Sequence, residues 1–171
     1  EWAVSHPNAE YSARLLADFK KQVDEAKGKP ANENEGALMA AAYDGKAAEV
    51  RVLLAAGTDP DAADERGRTA LICAAMKKSD ANKGRVEAVG ALAEGGADLD
   101  KADNNGATAL MVGAYFGQSG VVRRLLELGA DHTAVGTGYL NAGKTALELA
   151  EAQGQEEAVA VLREWAASHP N

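Results

Sequence analysis

The residues of this 171-residue chain whose types could support nucleophilic, general-base, metal or phosphate chemistry are few: His6, His132, His169, Cys73 and the run Gly143-Lys144-Thr145. Their spacing offers no reaction. His6 and His169 hold the same place in two nearly identical octapeptides, which makes them cap or linker residues rather than general bases. His132 stands alone. Cys73 lies between Ile72 and Ala74 with no histidine near it in sequence, so a packed small side chain is expected rather than an activated thiolate. The Gly-Lys-Thr run lacks the preceding strand and the four-residue spacing of a phosphate loop. Acidic pairs such as Asp98 with Asp100, or Glu156 with Glu157, lack the further oxygen ligands of a calcium site. No catalytic, cofactor-binding or metal-ligating residues are expected, and the chain is not read as an enzyme.

Charge narrows the partners. With 18 basic and 26 acidic residues the net charge is -8, which repels nucleic-acid phosphates and anionic lipid. No apolar window approaches the roughly 18 residues of a membrane span, so no membrane insertion is expected. A single cysteine excludes an internal disulfide framework and fits a reducing compartment. A cytoplasmic location is the expectation.

The elements that must position any binding residues announce themselves by recurrence. Gly67, Gly106 and Gly143 are each followed by a Thr-Ala-Leu triplet: Thr69-Ala70-Leu71, Thr108-Ala109-Leu110 and Thr145-Ala146-Leu147. Aligned on Leu38, Leu71, Leu110 and Leu147, the spacings are 33, 39 and 37 residues. Each threonine can cap the first turn of an inner helix, and each leucine points into the core. Ala41-Ala42, Ala74-Ala75 and Gly113-Ala114 are small enough for neighbouring inner helices to approach closely. Leu53-Leu54, Leu92 and Leu125-Leu126 supply bulk from outer helices. Gly57, Gly96 and Gly129 end those helices where a left-handed backbone is favoured, and Asp59 to Gly67 and Asp98 to Gly106 form fingers.

This pattern resembles the ankyrin repeat, whose unit is a hairpin finger, an inner helix, a tight turn and an outer helix. Gly36 to Asp64 (GALMAAAYDGKAAEVRVLLAAGTDPDAAD) and Gly106 to Asp131 (GATALMVGAYFGQSGVVRRLLELGAD) carry the resemblance, which covers about residues 34 to 166. It implies an all-α solenoid of about four stacked helix-turn-helix units with β-turn fingers. Alanine replaces the family's usual proline at 70, 109 and 146, and Met39, Ile72, Met111 and Glu148 replace its usual histidine. The second repeat holds six extra residues around Lys77-Lys78-Ser79-Asp80-Ala81-Asn82-Lys83, expected as an inter-helix loop. The last finger is four residues longer and includes Thr137-Gly138-Tyr139-Leu140-Asn141, an extension expected to reach beyond its neighbours.

Residues 1–8 read EWAVSHPN and residues 164–171 read EWAASHPN, a match at a spacing of 163 residues. We read the chain as one unit of a tandem array, cut from a longer protein. Residues 1–8 then end a preceding unit, 9–35 form an N-terminal capping helix and its connection, 36–166 form the repeat domain, and 167–171 begin a linker. Tyr11, Leu15, Leu16, Phe19 and Val23 share one face of the helix expected from Ala9 to Ala26, with Gly28 to Glu35 as connection.

In the family that this chain resembles, ligands meet the fingertips and the exposed side of the inner helices. Carried over position by position, that surface comprises Tyr43 and Asp44 in the first repeat, Arg66, Arg68, Met76 and Lys77 in the second, and Asn104, Asn105, Tyr115 and Phe116 in the third. Glu65 in the second repeat and Ala107 in the third belong to the same carried-over positions. Tyr115-Phe116 stands out because only 5% of the chain is aromatic and aromatic side chains dominate interface hot spots. Two functions follow: a non-catalytic module that binds another protein through the concave face and fingers, or a structural spacer or scaffold unit that contacts its neighbours in an array.

Overall fold

The computed structural model describes residues 17, 18, 20, 21, 31–76, 82–138 and 141–170. The octapeptide at residues 1–8 and most of the expected capping helix therefore lie outside the described residues; residues 17, 18, 20 and 21 are helical and exposed. Among the described residues, four helix pairs follow one another: α1 (Ala31–Asp44) and α2 (Ala47–Ala55), α3 (Ala70–Ala75) and α4 (Asn82–Glu94), α5 (Ala109–Tyr115) and α6 (Ser119–Leu128), α7 (Ala146–Ala152) and α8 (Glu156–Ser168). The odd-numbered helices pack on one another as an inner layer and the even-numbered ones as an outer layer. Each pair also packs internally, which makes the molecule a two-layer solenoid.

Local chemistry starts each inner helix. The Oγ1 of Thr69, Thr108 and Thr145 accepts from the backbone N–H of Ile72, Met111 and Glu148 at 3.4, 3.4 and 3.3 Å. Each bond satisfies one of the orphan donors of the first turn. At the other end of the unit, Gly129 closes α6 at φ 100°, with its N–H bonded to the Leu126 carbonyl and that of Ala130 to Leu125. Gly57 and Gly96 take the same left-handed turn at φ 92° and 90°, as the sequence requires.

Packing then joins the pairs. Leu38, Leu71 and Leu110 are each 1% exposed, and Ala42, Ala75 and Ala114 are each 0% exposed. The small residues let the inner helices touch: a Cβ on Gly113 would sit 3.8 Å from Ala75 Cβ and 3.3 Å from Val122. Outer helices bury an apolar stripe, Val121, Val122, Leu125 and Leu126 in α6, and turn Arg123, Arg124 and Glu127 outward. Leu147 is the exception among the aligned leucines, being only half-buried, because no further repeat lies over α7 among the described residues.

The fingers are joined by polar contacts instead. The Asn104 N–H donates to the Arg66 carbonyl at 3.0 Å and its Nδ2 donates to the Glu65 carbonyl at 3.0 Å. Lys101 Nζ reaches the Asp61 carbonyl at 2.9 Å, and the N–H groups of Asp98 and Asp131 donate to Asp61 and Asp100 carboxylates at 2.9 and 2.8 Å. Gly67 and Gly106, at φ 76° and 69°, face this seam. A Cβ there would lie 2.8 Å from Asn104 N and 2.7 Å from Thr137 N.

Two expectations need correction. The stretch Gly28 to Glu35 is not connection throughout, because α1 already begins at Ala31. Asn82 and Lys83 are not loop but the first turn of α4, so part of the inserted sequence lengthens that outer helix to 13 residues; residues 77–81 lie outside the described residues. The described part of the long last finger closes on itself and on the finger before it; Tyr139 and Leu140, on which the expected reach depends, lie outside the described residues. Gly136 N donates to Lys144 O at 3.0 Å, Gly143 N to Gly136 O at 2.8 Å, and Asn141 is 7% exposed, while Gly138 abuts the Asn105 backbone.

Replacing Leu110 by Ala is expected to cost about 2 to 5 kcal/mol, because the cavity opens between two packed repeats, and Thr108→Ala about 1 kcal/mol. Urea unfolding of the two variants measures both; a loss below about 0.5 kcal/mol for Leu110→Ala would contradict the packing described.

Candidate functional site

Repeat register, rather than proximity in sequence, assembles the exposed surface. Tyr43, Met76 and Tyr115 each stand five residues after an aligned leucine, at the C-terminal ends of α1, α3 and α5. Because these inner helices pack side by side, their ends form a row. Tyr43 and Tyr115 are 40% and 43% exposed, two of the large apolar side chains left most open to water. Met76 between them is half-buried and packs against the core.

Tyr115 is held at both ends of its residue. Its ring meets Phe116 edge to face, with centroids 5.1 Å apart at 80°, a geometry that matches the positive ring edge to the negative face. Its carbonyl, an orphan acceptor at the end of α5, receives Gln155 Nε2 at 3.1 Å. The following repeat thus fixes the end of the helix that carries the exposed ring. Phe116 is half-buried. Gln155 escaped the sequence reading; its position just after a turn glycine was the available signal.

The charged candidates divide by role. Arg68 is a clamp within its own finger: Nη2 lies 2.6 Å and Nε 2.8 Å from Asp64 Oδ2, and Nη1 lies 3.8 Å from Met76 Sδ. Asp64 also accepts from the N–H groups of Arg66 and Arg68 through Oδ1, each at 2.9 Å. The Arg68 side-chain hydrogen bond holds the Asp64 carboxyl below the usual range, and Asp64 in turn raises Arg68. Arg66 is exposed at the fingertip. Asp44 is exposed and lies 3.8 Å from Lys46. Asn104 is committed to the seam described above, whereas Asn105 is exposed, with its N–H on Asp103 at 2.8 Å. Lys77 lies outside the described residues.

Groups that might have done other chemistry are occupied elsewhere. Burial pushes the Cys73 thiol up, away from thiolate formation. At the Gly-Lys-Thr run, Glu148 Oε2 accepts from Thr145 N at 2.8 Å and from its hydroxyl at 3.1 Å. That capping box puts a carboxylate where a phosphate would have to sit, and the N–H of Thr145 lowers the Glu148 pKa. Asp98 turns one oxygen onto the Asp100 N–H at 3.0 Å. Among the described residues no three His, Cys, Asp or Glu side chains gather as metal ligands, and no helix is long and apolar enough to cross a membrane. Two recesses of about 380 and 350 Å³ lie along α7–α8 and between α6 and α8, away from the tyrosine row.

A family model described as ankyrin repeats matches the chain in three copies, over residues 1–81, 38–136 and 81–171. No curated protein matches it.

Acid should loosen the fingers. A carboxylate with a lowered native pKa contributes stability at pH values above its unfolded pKa, near 4, and that stability is lost as pH falls through the native value. Asp64, Asp131 (lowered first by the Thr133 hydroxyl) and Glu148 act in this sense. Wild type is expected to lose stability from about pH 5 downward. Asp64→Asn should be less stable at neutral pH and lose less on acidification, measured by urea titrations across the range; an unchanged acid slope would remove Asp64 from this account.

Proposed function

The chain belongs to the ankyrin-repeat family, whose members are in general protein–protein interaction modules, and from that premise we propose that it is a non-catalytic module that binds a protein partner through its concave face and fingers. The observation that carries the reading is the row Tyr43–Met76–Tyr115, which keeps two tyrosines 40% and 43% exposed on an otherwise aromatic-poor protein. A ring left in water on a rigid helix end loses little conformational freedom on binding, and burying it against a partner is strongly favourable.

The fingers contribute differently from the helix ends. Arg66 and Asn105 project from adjacent fingertips and are available for polar contacts. Arg68 and Asn104 keep those tips in place, so their substitution would disturb the surface through its support. Asp44, exposed beside Tyr43 at the end of α1, extends the surface. The rigid seam between fingers means that a partner meets a preformed surface, which favours affinity by limiting the ordering cost.

The test is capture of partners by the full chain, with Tyr115→Ala/Phe116→Ala compared against wild type and each bound protein then titrated in purified form. Affinity for the true partner is expected to fall about 30-fold or more, the scale of a hot-spot loss of about 2 kcal/mol. Binding at full strength by a folded double variant would dismiss the aromatic pair as the anchor. Tyr43→Ala alone should weaken the same partner, because it lies on the same row.

A further inference from the structure

The third fingertip carries a chemically labile step. Asn105–Gly106 is the one Asn-Gly pair in the chain, and Asn105 is exposed. Glycine has no side chain to shield its amide nitrogen, so in a free chain that nitrogen attacks the Asn105 side-chain carbonyl carbon. A C–N bond forms, ammonia leaves, and a cyclic imide results. Water then opens the imide to aspartate or isoaspartate. Either product replaces a neutral amide with a carboxylate, and isoaspartate also routes the main chain through an added methylene. The second finger has Glu65-Arg66-Gly67 at the same positions and cannot react in this way.

Attack requires rotation about the Asn105 Cα–C bond, which turns the Gly106 nitrogen toward the side chain. Three hydrogen bonds to Asp103 oppose it. The Gly106 N–H donates to the Asp103 carbonyl at 2.8 Å, closing a β-turn. The N–H groups of Asn105 and Ala107 donate to Asp103 Oδ1 at 2.8 and 2.9 Å, charge-assisted bonds stronger than neutral ones. The neighbouring fingers hold the turn from both sides. Asn104 is fixed to the second finger through the Arg66 and Glu65 carbonyls. The lengthened last finger lies against the reacting pair itself: a Cβ on Gly106 would sit 2.7 Å from Thr137 N, and one on Gly138 would sit 2.9 Å from the Asn105 carbonyl carbon.

We propose that Asn105–Gly106 is a latent deamidation site, held unreactive in the folded protein by Asp103 and by the last finger. The reaction then proceeds only through local opening of the fingers, at a rate set by the fraction of molecules that are open. Because Asn105 is exposed at a fingertip, its product adds a negative charge to the outer surface beside Asp103. The site is independent of the tyrosine row and of the binding reading.

Incubation of the full chain at mildly alkaline pH, followed by peptide mapping with mass spectrometry, reads conversion at Asn105. Folded wild type is expected to react at least about tenfold more slowly than the same chain unfolded in guanidinium chloride. Asp103→Ala removes the side-chain acceptor, and Gly138→Val drives the last finger off the Asn105 backbone. Each variant should react at least about fivefold faster than folded wild type, the scale of losing one hydrogen bond, while circular dichroism shows the helices intact. Folded wild type reacting at the unfolded rate would overturn the proposal, as would either folded variant reacting no faster than wild type. If one variant unfolds, the other decides. If both unfold, the seam is a determinant of the fold rather than a guard on this step, and the proposal falls as well.

Discussion

The close approach of neighbouring inner helices governs this molecule. Ala42, Ala75, Gly113 and Ala114 leave no side-chain bulk between repeats, so helix backbones come together and the leucines can share one core with the outer layer. No helix pair has enough apolar surface to fold alone; each buries its leucine only because the next pair covers it. The half-buried Leu147 shows the rule by its lapse at the open end. The same approach sets the separation of the helix ends, and with it the spacing of Tyr43, Met76 and Tyr115. Surface geometry is thus a consequence of core geometry.

Fingers obey a second constraint, the satisfaction of backbone polar groups without a core to hide them. Asp64 and Asp103 occupy equivalent finger positions and turn carboxylates onto N–H groups of their own turns. Asp61 and Asp100 reach across to the N–H of the next finger. The protein's acidic balance is therefore partly internal: carboxylates that composition presents as surface charge serve as turn and seam acceptors. Charge-assisted bonds of this sort are stronger than neutral ones, which gives loops the order of a scaffold.

Fold and candidate surface were legible in the chain to different depths. The threonine caps, the buried leucines and alanines and the helix-ending glycines follow from local rules that depend on a few neighbouring residues, and they stand where the spacing puts them. The helical part of the insertion in the second repeat is not legible in sequence because a loop and an added helical turn have the same length there, and the close approach of Gly138 to the Asn105 backbone exists only in three dimensions. Among the candidate surface residues, Arg68 and the exposed Asn104 also hold their fingers in place, which requires knowing that Asp64 lies 2.6 Å from Arg68 and that Glu65 and Arg66 present their carbonyls to the next finger.

Sequence alone determined the repeat, its register and the layer to which each helix belongs, because capping, periodicity and glycine turns act over one or two turns of chain. Tertiary structure decided which exposed side chains are held and which are free. It tied the Tyr115 carbonyl to Gln155, 40 residues on, committed Arg68 to Asp64, and bridged Glu151 to Arg163 over the last repeat. Those assignments depend on the small-residue stacking that brings distant turns within hydrogen-bond range, and a distance of about 3 Å between residues tens of positions apart is set by packing rather than by order along the chain.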